Sequence, residues 1–591
     1  MNGHHAHGNE GSRMKIVVAV DFGTTFSAVA YANTHNVMAT LTTRLGPIRC
    51  LRYEHSGATG TFYWGFRAHQ FIDRGEKIHE WFKLGLCNDF EERRARESEL
   101  AKNYKSQTAL PPVKGKECEG LVVDYLTGIK GAVDEYFTAT YDEEVTRCHR
   151  EYIITVPALW DHAEQEKTRR CAEKAGMGKG HKLQIISEPE AACIYAIQSM
   201  LTLNVNETFV ICDAGGGTVD LASYTISSLN LQPFSCKLEG AAIGTGGLCG
   251  SSFLNRIFEE YLINKLKTYS GWNRSFMIDA LKAFEERIKP NFTGESHVEH
   301  IIRIQGLVRS DRHGVYPNFL TLTTPELREN VFDKVINIVQ AHVSNQIANT
   351  KKPVKAVLLA GGFGKNPYLK KRLQEIDSVM RHGIKVIQIE NSDTAIARGA
   401  LIAGLAGLGR IQDRPDDGGF NALPSRTEVI SRIAGRSYGT AAYFDFDRAV
   451  DPESRRVPRD DGDKIEKIRW FAKMGDSIPD GKPMSFSFFK MTKVRSHIPA
   501  DKACIPVVSI YSCEKKVAAD YIDDPNVSKI VEFKLELHGL DIPITRKNGC
   551  NFYEAEFVIE MTLHAASLSF CGVYGKGSSA KRFPAKKVQF R

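Results

Sequence analysis

Long hydrophobic runs are missing from this sequence, since no stretch approaches the roughly 18 apolar residues of a membrane-spanning helix. Paired cysteine motifs are missing too: the thirteen cysteines are scattered, odd in number and without a C-x-x-C spacing. This usage argues against a disulfide framework and against a zinc site. It predicts buried thiols in a reducing compartment, the cytosol or the nucleus.

A strong excess of one charge is also absent. The formal net charge of +8 is small for 591 residues, and basic pairs such as Arg93-Arg94 are interleaved with acids. We therefore expect solvated charged faces and no nucleic-acid binding stripe. Residues 1–13 are polar, rich in His and Gly, and lack the apolar core of a signal peptide, so they are predicted to form a flexible tail.

The composition that remains is that of a globular protein, with 42% hydrophobic and 25% charged residues. At this length about three or four domains are expected. The most informative stretch lies in the middle of the chain. An apolar run from Phe209 to Cys212 leads into Asp213-Ala214-Gly215-Gly216-Gly217-Thr218-Val219-Asp220, after which the alternation resumes.

This stretch predicts a strand, a tight glycine turn and a second strand. Glycines leave backbone N–H groups uncovered, and such a turn can surround a phosphate with donors. The flanking acids Asp213 and Asp220 suit a divalent cation, which takes oxygen ligands and keeps several waters. A plain glycine hairpin with an exposed acid at each end fits this segment alone equally well.

The same plan occurs near the N-terminus and decides between these two readings. Ile16 to Val20 form an apolar run, followed by Asp21-Phe22-Gly23-Thr24-Thr25 and a second alternating segment. Two hairpins of one design predict a duplicated domain whose halves face each other across a cleft.

Other candidates follow along the chain. Glu188 stands between a predicted strand and a helix opened by Pro189, either as a functional acid or as a partner of the helix dipole. Lys83 lies beside Trp81 and Phe82, either as a surface lysine or as a group held at a phosphate or at the attacking water. Glu285, Glu286 and Lys289 lie on neighbouring turns of a helix predicted over Ser275–Lys289.

A buried strand, Val354 to Ala360, runs into Gly361-Gly362, where a ligand ring can approach the backbone closely. A long helix is predicted over Pro325–Ala348 with Thr324 as its N-cap. Beyond about Glu428 the helical period is lost. Val531, Phe533, Leu535 and Leu537 alternate with Glu532, Lys534 and Glu536. Phe557, Ile559, Met561 and Leu563 stand in the same way against Glu556, Glu560 and His564, and both patterns predict half-buried antiparallel strands.

Together these segments resemble the actin-like ATPase superfamily and, within it, the Hsp70 chaperone family. Five stretches match in order: Asp21–Thr25, Ile153–Ala158, Ile186–Ala192, Asp213–Asp220, and Ala360–Gly362 with Asn391–Asp393. The Trp81-Phe82-Lys83 element and the form of the glycine clusters resemble the divergent twelfth subfamily and its fungal relatives.

The resemblance implies a role for each matching residue. Asp21 and Asp213 would hold Mg²⁺ through water, and Lys83, Glu188, Asp220 and Thr218 would orient the attacking water. ATP or ADP would be bound by Gly23, Thr24, Thr25, Gly215, Gly216, Gly217, Thr218, one of Glu285 or Glu286 with Lys289, Gly361, Gly362, Phe363 and Asp393. Phe363 and Lys365 depart from the family pattern, which has a serine and an adenine-stacking arginine there.

The fold implied is α/β: a duplicated actin-like (ribonuclease H-like) ATPase fold with two lobes around a nucleotide cleft, followed by a C-terminal β-sandwich-like domain. The predicted boundaries are tail 1–13, lobe I 14–202, lobe II 203–410, linker 411–428 and β domain 429–591. The family's leucine-aspartate-rich interdomain segment is missing, with Glu428 to Ile433 in its place, and the helical lid is not found.

The function implied is that of a slow ATPase of the chaperone type, whose β domain binds unfolded polypeptide or a specific partner, with co-chaperones and without nucleic acid or membrane. Two alternatives remain: a nucleotide-sensing scaffold with little hydrolysis, and a small-molecule kinase on the same fold. A kinase needs a substrate-binding insertion, and the sequence has no segment that argues for one.

Overall fold

A computed structural model describes residues 15–33, 36–47, 49–53, 61–74, 76–87, 99–105, 113–160, 162–179, 182–200, 202–232, 234–408, 425–459, 462–495, 500–537, 540–547, 549–564, 567–575, 580–583 and 586–587. The predicted tail and most of the predicted linker therefore lie outside the described residues. The chain divides into two compact units, one of Met1–Trp160 with Lys167–Glu428 and one of Asp161–Glu166 with Val429–Arg591.

The first unit contains two central sheets, two small ones and their covering helices. Its strands are β1 (Lys15–Phe22), β2 (Phe26–Asn33), β3 (Asn36–Pro47), β4 (Arg49–Tyr53), β5 (Thr61–Trp64), β6 (His79–Glu80), β7 (His149–Val156), β8 (Leu183–Ser187), β9 (Thr208–Ala214), β10 (Val219–Leu231), β11 (Phe234–Gly247), β12 (Glu299–Arg303), β13 (Val315–Tyr316), β14 (Phe319–Thr323), β15 (Val354–Ala360) and β16 (Lys385–Gln388).

Helices cover these sheets. They are α1 (Phe66–Asp73), α2 (Glu99–Asn103), α3 (Gly115–Thr140), α4 (Glu143–Thr146), α5 (His162–Lys174), α6 (Glu188–Ser199), α7 (Ser252–Leu266), α8 (Arg274–Ala283), α9 (Lys289–Asn291), α10 (Thr324–Leu327), α11 (Asp333–Asn349), α12 (Pro367–Gln374), α13 (Asp377–Arg381) and α14 (Ala395–Leu408). Shorter turns of 3-10 helix lie at Phe82–Leu86 and Phe363–Lys365.

The two central sheets share one topology. The first runs β3-β2-β1-β7-β8, and in the second the strands of this unit run β11-β10-β9-β15-β16. In the first sheet, β1 pairs antiparallel with β2 and parallel with β7. In the second sheet, β9 likewise pairs antiparallel with β10 and parallel with β15. The two copies of the sequence motif thus form equivalent hairpins, β1–β2 and β9–β10, in two sheets that have the same strand order.

Two predicted helices change their period along their length. The helix expected over Ser275–Lys289 is α-helical to Ala283 and continues as a π-helical turn over Phe284–Ile288. The helix expected from Pro325 begins one residue earlier than predicted, because Thr323 and not Thr324 is its N-cap, in a capping box with Glu326. It too contains a π-helical turn, over Arg328–Phe332.

The small-residue helix α14 packs very closely on α6. At Gly399 an added Cβ would overlap the carbonyl oxygen of Ala191, so only glycine permits this approach. A hydrophobic core of the unit joins the second central sheet to α7, α8 and α11 through residues such as Phe253, Phe258 and Phe284. Leu84 and Leu100, from the first third of the chain, are part of this same core.

The second unit is built almost entirely from strands. They are β17 (Ser425–Ile433), β18 (Ser437–Asp445), β19 (Lys464–Ala472), β20 (Ser477–Pro479), β21 (Met484–Lys493), β22 (Val507–Cys513), β23 (Val527–Lys534), β24 (Ile544–Lys547), β25 (Cys550–His564), β26 (Ser567–Tyr574), β27 (Lys581–Arg582) and β28 (Lys586–Lys587). Among the residues described in this unit, a short helix, α15 (Ala500–Ala503), and a 3-10 turn at Glu453–Arg455 interrupt the strands.

The predicted alternation in this unit is confirmed except at Val531, which is half-buried while its neighbour Ile530 is buried. Phe533, Leu535 and Leu537 are buried beside exposed charged neighbours, although β23 ends at Lys534, and Phe557, Ile559, Met561 and Leu563 of β25 are all buried. These residues meet in one core. No helix among the described residues is both long and apolar enough to span a bilayer.

Candidate functional site

A cavity of about 300 Å³ lies in the first unit where the two hairpins meet. Its volume is at the lower end of the range for small-molecule sites. Most of the predicted site residues line it: Asp21, Gly23, Thr24, Thr25, Glu188, Asp213, Gly215, Gly216, Gly217, Thr218, Glu285, Lys289, Gly361, Gly362, Phe363 and Asp393. Lys83 and Asp220 are buried and do not line the cavity. Glu286 does not line it either, and its side chain is exposed.

The first hairpin turn consists of Gly23, Thr24 and Thr25, between Phe22 and Phe26, which end and begin the paired strands β1 and β2. An added Cβ at Gly23 would overlap the carbonyl oxygen of Phe26, so the tightness of this turn requires glycine. Asp21 stands at the end of β1, where the Thr155 hydroxyl donates a hydrogen bond of 2.9 Å to its carboxylate. The turn therefore presents hydroxyls and backbone N–H groups beside one anchored acid.

The second hairpin turn has the same design with two acids. Asp213 and Asp220 lie directly opposite each other on β9 and β10, and the Gly215 N–H donates to the Thr218 carbonyl at 3.0 Å. Gly216 and Gly217 pack against Thr25 and Thr24, with no room for a Cβ at either glycine. The two turns therefore touch, and a ligand in the cavity is surrounded by both.

The N-terminal end of α7 supports the second turn from behind. The backbone N–H groups of Gly250, Ser251 and Ser252 donate to the carbonyls of Gly217, Gly215 and Gly216 at 3.1, 3.1 and 2.9 Å. These bonds occupy the carbonyl groups of the turn. The conformation of the glycine turn is thus fixed by the protein before any ligand binds.

Lys83 forms a buried ion pair at the bottom of the cavity. It is fully buried, its ammonium lies 2.6 Å from Glu188 Oε1, and it also donates to the Phe22 carbonyl. The aromatic rings of Phe22 and Trp160 lie 5.1 and 5.3 Å from its nitrogen. Glu188 is brought there by the first turn of α6, whose N-cap Ser187 accepts from the Glu190 N–H.

The carboxylates around Lys83 outnumber the positive charge. Burial raises the pKa of Asp21 to about 6, against the opposing effect of Lys83. Burial also raises the pKa of Glu188 to about 7, again opposed by Lys83 and increased by Asp21 and Asp220. For Asp213, burial followed by the charges of Glu188, Asp220 and Asp21 raises the pKa well above its usual range.

Asp213 Oδ1 is buried without a hydrogen-bond partner among the residues that the structure describes. A surplus of buried carboxylate with an unsatisfied oxygen is the environment that a bound cation stabilises. Within the described ranges, no three His, Cys, Asp or Glu side chains cluster as a metal cage. The buried carboxylates of Asp21 and Asp213 fit a hydrated Mg²⁺, which takes one or two carboxylates together with waters and phosphate oxygens.

The opposite end of the cavity is formed by the π-helical turn. Lys289 Nζ lies 2.6 Å from Glu285 Oε2 and 3.1 Å from Asn255 Oδ1, and the Asn255 amide also donates to Glu285. Such turns often occur at functional sites. Here the turn includes Glu285 and ends before Lys289, and of the two adjacent acids it is Glu285 that faces the cavity.

The Gly361-Gly362 turn completes this end. Gly361 has a φ of +76°, a conformation that favours glycine, whereas an added Cβ at Gly362 would meet nothing within 4 Å. The space beside Gly362 is therefore open, with no protein atom where a side chain would begin. Lys365 pairs with Asp393 at 2.9 Å beside this turn, and Phe363 is buried in the core.

Several lining residues were not predicted from the sequence. They are Phe26, Ser27, Ala28, Ser251, Pro290, Asn366 and Ile396. Asn366 had a local signal, since an Asn before Pro367 is typical of a helix N-cap, and its side chain accepts from the Leu369 N–H. Its amide also donates to the Lys289 carbonyl at 2.7 Å, a long-range contact that no local pattern predicts.

Comparison with known proteins finds similarity to the Hsp70 family. The family model described as Hsp70 protein matches residues 125–413, a range that contains Glu188, the Asp213–Asp220 turn and Gly361-Gly362. Heat shock 70 kDa protein 12A of Homo sapiens is 22% identical over 628 aligned residues, covering 89% of this chain and 85% of the human protein. The protein of that name from Mus musculus has the same identity and coverage.

A mitochondrial-type heat shock protein 70 of Encephalitozoon cuniculi (strain GB-M1) is 26% identical over a shorter range of 272 residues. That alignment covers 44% of this chain and 41% of the microsporidian protein. The alignments with the proteins named 12A thus cover most of both chains, and the alignment with the mitochondrial-type protein covers less than half of either chain.

Proposed function

The chain is a divergent member of the Hsp70 family, and on that premise we propose that it binds ATP with Mg²⁺ and hydrolyses it slowly to ADP and phosphate. The observation that carries the proposal is the cavity itself. Two hairpin turns of one design meet there, backed by buried carboxylates and one buried lysine. In our proposal the two central sheets belong to two lobes, 14–202 and 203–410, on either side of this nucleotide cleft.

The phosphates are bound at the two turns in this proposal. Gly23, Thr24 and Thr25 contact them from one side and Gly215 to Thr218 from the other, through backbone N–H groups and threonine hydroxyls. The bonds from α7 to the carbonyls of the second turn support this, since they fix the turn in advance. Preorganised donors cost little reorganisation during the reaction.

Asp21 and Asp213 hold the magnesium through water in this proposal. When bound, the ion neutralises charge on the phosphates. The raised pKa values of Asp21 and Asp213 and the unsatisfied Asp213 oxygen support this assignment. A protein without a cation there would have to keep its surplus carboxylates partly protonated.

The attacking water is oriented by Lys83, Glu188, Asp220 and Thr218. Their burial supports the assignment, because a dry pocket keeps such hydrogen bonds directional and excludes competing water. Glu285, Lys289, Gly361, Gly362, Phe363 and Asp393 contact the nucleoside. Glu286, the other candidate at this position, is exposed and is left out of the proposal.

Residues 429–591 act in this proposal as a β domain that binds unfolded polypeptide or a specific protein partner, following a linker at 411–428. Nucleotide state is coupled to that binding, and co-chaperones assist it.

Buried thiols such as Cys193 and Cys212 suit a reducing compartment, so we place the protein in the cytosol or nucleus.

The test is ATP binding and turnover by the purified full chain, compared with Asp213→Asn. The substitution keeps the shape of the side chain and removes the charge, so we expect turnover to fall by roughly 10²-fold or more. Asp377→Asn, at an exposed ion pair on α13, is the control and should leave turnover unchanged. Absence of magnesium-dependent ATP binding by the wild type would overturn the proposal, and binding without turnover would favour the scaffold.

A further inference from the structure

Trp81 has a backbone conformation that its side chain does not favour. Its φ and ψ are 58° and 18°, in the left-handed region. Four non-glycine residues in the described ranges have a positive φ, and the other three are asparagines. Asparagine tolerates this region, whereas a bulky residue there is a genuine outlier that the surrounding structure must hold in place.

Two residues of α7 hold the Trp81 ring. The guanidinium of Arg256 lies 3.7 Å from the ring centroid, and the ring of Phe253 packs edge-on with centroids 5.2 Å apart at 71°. Arg256 in turn donates to the Tyr104 carbonyl at 3.3 Å. Such a cation–aromatic contact is strongest where water is excluded, and Phe253 is fully buried.

This cluster of Trp81, Phe253 and Arg256, here called the tryptophan clasp, joins two parts of the candidate site. On one side, Trp81 directly precedes the 3-10 turn Phe82–Leu86, which contains the buried Lys83. On the other, α7 begins at Ser252, beside the N–H groups that bond the glycine turn. Lys83 and the glycine turn are thus connected through one side-chain stack.

We propose that Trp81 is a positioning residue for the ATPase reaction: its clasped ring fixes Lys83 relative to the glycine turn Gly215–Gly217. This inference rests on the proposed ATP hydrolysis. Trp81 itself does not line the cavity, so it acts on the nucleotide through Lys83. Loss of the ring should therefore impair the reaction more than nucleotide binding.

The first experiment compares Trp81→Ala, Trp81→Gly and Trp81→Phe in the full chain. Because a small displacement of a catalytic group is costly, we expect kcat to fall by about tenfold or more in Trp81→Ala, with KM changed by less than about threefold. Trp81→Gly relieves the backbone and lacks the ring, so it should be equally slow. Trp81→Phe retains an aromatic ring and should recover part of kcat.

Trp272→Ala is the matched control. Trp272 packs against the same core and lies 6.1 Å from the ring of Phe276, away from the cavity. It should leave kcat unchanged. Equal kcat in wild type and Trp81→Ala, or a parallel loss in Trp81→Ala and Trp272→Ala, would overturn the proposal.

The second experiment needs no turnover and measures amine labelling of Lys83 by mass spectrometry. Lys83 is fully buried in the clasped arrangement. In Trp81→Ala the local turn should open more often, and labelling of Lys83 should rise by about fivefold or more while that of Lys265, paired with Glu326, stays constant.

The two experiments separate the two proposals. If the wild type hydrolyses no ATP, the proposed function fails and the labelling decides the positioning role alone. Labelling of Lys83 that is unchanged in Trp81→Ala, or that rises together with that of Lys265, would contradict the clasp. Arg256→Lys keeps the cation and should show less labelling than Arg256→Met.

Discussion

At the glycine-turn end of the cavity the Lys83–Glu188 pair is buried, whereas the Lys365–Asp393 pair beside Gly361 is partly exposed. Lys83 and Glu188 have side chains 0% and 8% exposed, while Lys365 and Asp393 are 52% and 28% exposed. Burial makes each unpaired charge costly, and exposure lets water replace a lost partner. The glycine-turn end is therefore a rigid electrostatic site, and the other end is more tolerant of change.

The two ends also hold different parts of the sequence. Both hairpin turns lie at the glycine-turn end, and the Lys365–Asp393 pair lies at the other. Because water can replace a lost partner there, a substitution of Lys365 should cost little stability. Substitutions at the two ends should therefore have unequal effects.

The largest effect is expected at Lys83. Lys83→Met removes the partner of a buried carboxylate, so the free energy of unfolding at pH 8 should fall by about 3–5 kcal/mol in urea titrations. The double variant Lys83→Met with Glu188→Gln should recover part of this loss. Lys265→Met, at a more exposed pair, is the control and should lose about 1 kcal/mol or less. Equal losses at the two lysines would contradict the difference in burial.

An intermediate effect is expected from pH in the protein without magnesium or nucleotide. The pKa of Glu188 is raised from 4.5 to about 7 in the folded state, so the folded protein binds more protons than the unfolded chain between these values. The contribution of Glu188 to stability is thus present below about pH 4.5 and is lost as pH rises through 7.

Comparison with Glu188→Gln isolates this contribution from that of other groups. The difference in the free energy of unfolding, wild type minus variant, should decrease by about 2–3 kcal/mol between pH 4.5 and pH 8. Urea titrations at several pH values measure it. A difference that stays constant, or increases with pH, would show that Glu188 titrates near its ordinary pKa.

The smallest effect is expected at the other end. Lys365→Ala removes one member of a half-exposed pair, so the free energy of unfolding should change by less than about 1 kcal/mol. Urea titrations of the variant and of the wild type measure this difference in the free energy of unfolding. A loss as large as that of Lys83→Met would mean that both ends of the cavity are equally rigid.

The sequence predicts the parts of this site that are local. The two hairpins, the position of Glu188 at the start of α6 and the Gly361-Gly362 turn each have a motif that spans only a few neighbouring residues. Hydrophobic alternation and turn chemistry suffice for these. The repeated hairpin motif also predicts that the two central sheets have the same strand order.

Contacts between segments that are distant in the sequence have no such local pattern. The Lys83–Glu188 pair joins residues 105 positions apart, and Thr155 bonds Asp21 across 134 positions. The choice of Glu285 over Glu286 depends on a π-helical turn, because one extra residue in a turn changes the face on which later side chains lie. Periodicity at 3.6 residues contains no signal for that insertion.

The central claim is that the two turns and their carboxylates bind magnesium and ATP. Isothermal titration calorimetry of the full chain with ATP, in the presence and absence of Mg²⁺, tests it most directly. The account predicts saturable one-to-one binding that requires Mg²⁺ and is strongly weakened in Asp213→Asn but not in Asp377→Asn. Titrations without measurable binding, or binding that is unaffected by Asp213→Asn, would contradict it.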